Sequence, residues 1–127
     1  MAHFDVALNL PHAATVAGRL ARRFEARSAA SGAGASEALA LAESLVELLA
    51  PFDGREAEPS PEEAAPVVEE ALSVGRAFVE EVERLGLGED RLGQCVRNLF
   101  ECLGRGEEGA EISLRAGENP LSLLRPV

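Results

Sequence analysis

The chain of 127 residues has no tryptophan, no tyrosine and no lysine, and only one methionine, two cysteines and five phenylalanines. So few aromatic side chains exclude a core built on stacked rings. The interior has to come from Leu, Val and Ala with a few Phe anchors, a composition that suits helices. Two cysteines exclude the disulfide framework of a small secreted scaffold. No stretch approaches the roughly 20 apolar residues of a membrane span. The opening Met1-Ala2-His3-Phe4-Asp5 lacks the basic and then apolar run of a secretory signal. A cytoplasmic setting, with no membrane partner, is the expectation.

Loops that cradle phosphate are missing as well. Gly32-Ala33-Gly34 and Gly104-Arg105-Gly106 are too short and have no following Lys, so both read as helix ends. His3, His12, Cys95 and Cys102 offer the atoms of a tetrahedral zinc site but none of the close pairing such sites use, so no metal and no cofactor are expected. Cys95 and Cys102 lie seven residues apart on one predicted helix, about 10 Å along its axis, too far to bridge. No spaced set of nucleophile and base announces a reaction, and Glu69-Glu70 and Glu80-Glu81 read as a solvated helix face.

What the chain does hold is charge of one sign. Twenty-two acidic residues stand against 12 arginines, a net charge of −10, and the resulting field repels nucleic acid. Basic or apolar protein partners are expected instead. One segment runs against the trend: Pro11 to Ala30 carries Arg19, Arg22, Arg23 and Arg27 against Glu25 alone, which makes it the natural electrostatic partner of an acidic helix in this chain or another. With 46% apolar and 27% charged residues the composition is that of an ordinary folded domain, and the length fits a single one, residues 1–127.

Periodicity supplies the elements. Phe4, Val6, Leu8 and Leu10 alternate with other residues, the pattern of a half-buried strand over His3–Leu10 closed by Pro11. Val16, Leu20 and Phe24, with Ala13, Ala17 and Ala21, predict a helix over His12–Ser28. A second is predicted from Ser36 to Ala50, stopped by Pro51. Ser60-Pro61-Glu62-Glu63 has the form of a capping box, but Pro66 would remove a hydrogen bond beyond the first turn, so a short turn followed by the main helix to Leu85 is expected. Within it, Glu80 and Arg84 are spaced for an ion pair. A fourth helix opens near Glu89 and Asp90 and carries Leu92, Val96, Leu99 and Leu103 to Gly104. Gly75 and Gly93, inside the helical stripes, point to tight crossings. Glu111-Ile112-Ser113-Leu114-Arg115 alternates like a strand, with Leu121–Val127 as its return. The fold expected is a helix-dominated α+β domain of four helices with a small antiparallel sheet from the termini. An all-α four-helix bundle is the alternative.

Val68 to Leu124 resembles the layout of anti-sigma-factor serine kinases and related GHKL-type regulatory ATPases. A helix is followed by Gly86-Leu87-Gly88-Glu89-Asp90-Arg91-Leu92, a second helix ending in Gly and a strand hairpin. Phe4-Asp5-Val6-Ala7-Leu8-Asn9-Leu10-Pro11, followed by the arginine-rich helix, is similar to that family's first strand and helix. Arg97-Asn98-Leu99-Phe100-Glu101-Cys102 stands where the family places the Glu and Asn that handle the attacking water and magnesium, and no Asp-x-Gly or glycine-rich lid follows. The resemblance therefore implies a regulatory protein in which nucleotide binding is lost and a surface for a protein partner is kept.

The function expected is a non-enzymatic protein-interaction module, a small acidic adaptor, regulator or chaperone-like protein that binds another protein and forms a homo-oligomer. Val67, Val74, Phe78, Phe100 and Leu103 are its candidate contact residues, because the third and fourth helices carry more apolar surface than so short a chain needs. A degenerate GHKL-type protein, a thiol-based enzyme and a small-ligand-binding helical domain are the alternatives.

Overall fold

The computed structural model describes residues 9–31, 36–54, 59–87 and 90–117. Among them are five α-helices: α1 (Leu10–Ser31), α2 (Ser36–Leu49), α3 (Pro61–Leu85), α4 (Asp90–Cys102) and α5 (Gly106–Gly117), with a 3-10 turn at Ala50–Phe52 after α2. α1 packs against α2 and α4, α3 packs on α2, and α5 lies on α4.

Local chemistry sets the helix ends. Asn9 caps α1: its side-chain Oδ1 accepts from the His12 backbone N–H at 3.1 Å. Its own N–H donates to the Cys102 carbonyl at 2.8 Å, which ties the start of α1 to the end of α4. Ser60 Oγ accepts from Glu63 N–H at 3.2 Å and opens α3, with Pro61 in the first turn where a missing N–H costs nothing. α3 and α4 both close on a glycine with positive φ, Gly86 at 70° and Gly104 at 82°. Leu87 N–H returns to Val82 O, and Arg105 N–H to Phe100 O, the six-residue closure that a left-handed glycine permits.

The core is apolar throughout. Among the described residues no polar or charged residue is buried, and Phe24, Phe78 and Phe100 are its largest fully buried side chains. Phe24 of α1 meets Phe78 of α3 edge to face, with ring centroids 5.3 Å apart at 79°. One turn before Phe78, Gly75 faces the ring of Phe100, and an added Cβ would lie 3.1 Å from Cε1. Gly75 thus marks a tight crossing, as its place in the stripe suggested. Gly93 is buried too.

Several expectations need correction. No strand occurs among the described residues, so the small sheet of the α+β reading gives way to the all-helical one. Glu111–Arg115 is part of α5. In a strand Ile112 and Leu114 would share a face, but in the helix they point apart, and Ile112 is buried while Leu114 is 67% exposed. Seating α5 on α4 outweighs five residues of alternation. At the amino end Asn9 and Leu10 belong to the cap and first turn of α1, and Pro11 opens a helix rather than closing a strand. Residues 3–8 and 121–127 of the expected strands lie outside the described residues. Pro66 neither delays nor divides α3; it is exposed, so the Glu62 carbonyl it leaves unpaired within the helix can meet water. Pro51 sits within the 3-10 turn, which buries Phe52. Arg84 pairs with Glu81 rather than Glu80, at 2.6 and 3.3 Å, because a two-pronged contact is available one turn back on that side.

Candidate functional site

The apolar face of α1 decides where its charges go. Ala13, Val16, Ala17, Leu20 and Phe24 are buried, which turns Arg19, Arg22, Arg23 and Arg27 outward. Arg19, Arg23 and Arg27 follow one another at four-residue spacing, a row of about 12 Å along the helix. Together with Arg22, Ala26 and Cys95 of α4, they line an open groove of about 580 Å³. Arg19 and Arg22 are exposed, whereas Arg23 and Arg27 are half-buried. Arg27 Nε is held by the Leu87 carbonyl at 3.4 Å. Four of the chain's 12 basic residues gather here, and no carboxylate is found among the described residues of the lining. The groove can bind an anion in two-pronged guanidinium contacts.

A second concavity, about 330 Å³, lies between α2 and α3. Leu48 and Val74 are its half-buried apolar part, and Ser44, Glu47 and Glu70 are exposed around them. A third, near Gly104, Arg105 and Glu111, is about 490 Å³ and predominantly polar. Glu108, which also lines it, makes a paired contact with Arg76 of α3 at 2.7 and 2.9 Å. That hydrogen-bonded guanidinium holds the Glu108 carboxyl below the usual glutamate range, and Arg84 does the same for Glu81.

Of the five expected contact residues, Phe78, Phe100 and Leu103 are buried, at 1%, 0% and 2% exposure. They fill this chain's own core. Val67 and Val74 are half-buried on α3, and Val74 reaches the α2–α3 concavity. The structure thus separates a set that the sequence drew from the apolar stripes of the third and fourth helices.

Cys95 and Cys102 are both free thiols on α4, the first half-buried in the groove and the second buried. Burial, with Glu101 adding to it, pushes the Cys102 thiol up to about 11. Among the described residues no group of His, Cys, Asp or Glu is gathered as a metal would need, and no helix is long and apolar enough to cross a membrane. His12 is exposed in the first turn of α1, and His3 lies outside the described residues.

The meeting of Cys95 with the arginine row escaped the sequence reading, since it joins positions about 70 apart in the chain. The signal that was present is the four-residue spacing of Arg19, Arg23 and Arg27 on one polar face. Comparison with known proteins returns nothing: no family model, no curated protein and no solved structure matches the chain. The segment that carried the likeness to a GHKL strand hairpin is helical over Gly106–Gly117.

Proposed function

We propose that this chain is a non-enzymatic protein-interaction module whose contact surface is the arginine groove of α1. The observation that carries the reading is the gathering of Arg19, Arg22, Arg23 and Arg27 in one groove, three of them in a row, in a chain of net charge −10. A row about 12 Å long matches carboxylates spread along a peptide or helix better than it matches one small anion, which calls for donors converging on a point. Arginine also favours protein contacts for a further reason: its stem packs while its head pairs. A nucleic acid would need many phosphate contacts at once, more than four arginines supply.

The test is fluorescence anisotropy with a labelled oligo-glutamate peptide. Saturable binding is expected, weakened about fivefold by Arg19→Ala with Arg22→Ala, as two exposed ion pairs allow. Inorganic phosphate at the same concentration should not compete. No binding of oligo-glutamate, or equal binding by the double variant, would refute the reading.

A further inference from the structure

The groove on α1 has a counterpart in the same chain. The α2–α3 concavity offers carboxylates, Glu47 and Glu70, around the half-buried Leu48 and Val74, and no cation is found among the described residues that line it. The groove offers guanidinium groups beside Ala26 and the half-buried Cys95. Among the described residues each surface holds what the other lacks, and the two share no residue and lie on different helix pairs.

We infer that the arginine groove of one copy docks on the α2–α3 concavity of a second copy, head to tail, with Arg19 and Arg22 meeting Glu47 and Glu70. The inference rests on the reading of the groove as a protein-contact surface and names the partner. An arginine entering the concavity lays its methylene stem on Leu48 and Val74 while its guanidinium reaches the carboxylates at the rim, a contact that uses both ends of the side chain. Self-association through a two-fold contact at the concavity would instead set Glu47 and Glu70 against their own copies, like charge on like charge. A head-to-tail contact leaves a free groove at one end and a free concavity at the other, so assembly either closes into a ring or continues as a chain. Two patches of this size give a weak contact, populated at high protein concentration. At physiological ionic strength charges beyond about 8 Å are screened, so the neighbouring groups rather than the net −10 govern the encounter.

Charge exchange tests this with the whole chain. Sedimentation velocity at low salt should show the wild type rising with concentration from 13.4 kDa to twice that mass and beyond. Raising salt from about 50 to about 500 mM should reverse the rise. Arg19→Glu with Arg22→Glu should leave a monomer, as should Glu47→Arg with Glu70→Arg. Mixing the two variants should restore assembly, because the glutamate groove of one now fits the arginine concavity of the other. All four side chains are exposed, and circular dichroism verifies that each variant folds; the single variants Arg22→Glu and Glu70→Arg serve in place of any that does not. A wild type that stays monomeric, variants that assemble alone, or a mixture that stays monomeric overturns the inference. Oligo-glutamate binding with no self-association would leave the groove a protein-contact surface and remove the second copy as its occupant.

Discussion

Gly109 offers the sharpest prediction about the fold. It is buried on α5 where that helix meets α4, and a Cβ added there would stand 2.8 Å from Phe100 Cβ, 2.9 Å from the Arg97 carbonyl oxygen and 3.1 Å from Arg97 Cα. Ordinary contact between carbon atoms begins near 3.5 Å, and two of these neighbours are backbone in the middle of a helix, so nothing flexible can yield. Gly109→Ala therefore lifts α5 off α4 by a fraction of an ångström along the whole contact. Contacts this close against unyielding backbone put the cost in the upper part of the overpacking range, about 2–3 kcal/mol, against which alanine's better helix propensity returns about 1 kcal/mol. A net loss of about 1–2 kcal/mol follows, and at about 4 °C per kcal/mol for a chain of this length the melting temperature falls by about 4–8 °C. Gly18→Ala is the control of opposite sign. Its Cβ would meet only the mobile end of Arg22, at 3.6 Å, so the propensity gain stands alone and raises the melting temperature by about 2–4 °C. Thermal unfolding followed by circular dichroism measures both. If Gly109→Ala melts at or above the wild-type temperature, α5 is not seated on α4 at this glycine.

Three further outcomes are expected. Ser60→Ala removes the α3 cap and costs about 1 kcal/mol in denaturant unfolding, while Ser60→Asp, which can still accept from Glu63 N–H, stays close to wild type. The Glu108 carboxyl is held low by Arg76 in the folded chain, so its contribution is present above the ordinary glutamate value of 4.5 and is lost as pH falls through the lowered native one. Glu108→Gln should flatten that part of the acid limb of stability, and at neutral pH it should cost no more than about 0.5 kcal/mol, since Arg76 is half exposed. Brief iodoacetamide treatment at neutral pH should add one label, on Cys95, because Cys102 is buried and its thiol is pushed up to about 11. Mass spectrometry showing both cysteines labelled equally fast would contradict the packing of α4.

Much of the helical core was legible in the residues. Val16, Leu20 and Phe24 on α1, Ala42, Leu45 and Leu49 on α2, and Leu92, Val96 and Leu99 on α4 are all buried, because a repeat sustained over several turns leaves one way to hide the stripe. Ser60 was readable as a cap since its signal is local. The carboxy-terminal helix was not readable. Glu111–Arg115 is too short to separate two periods, and the observation that decides between them is the close approach of Gly109 to α4, a tertiary fact. Pro11 is ambiguous for a similar reason, as proline suits both the end of a strand and the first turn of a helix. At the candidate site the arginine row was visible as a charge reversal, but the groove around it depends on α4 bringing Cys95 alongside. Phe78, Phe100 and Leu103 carry the same apolar signature whether they fill a core or face a partner, and only their burial separates the two.

The most direct test of the functional account follows the arginine Nε–H resonances by NMR as oligo-glutamate is added to the isotope-labelled protein. The account predicts that Arg19, Arg22, Arg23 and Arg27 shift together and saturate together, while Arg76, Arg84 and Arg97, engaged in ion pairs elsewhere, keep their positions. Shifts spread evenly over all of these arginines, or confined to those outside the groove, would contradict it.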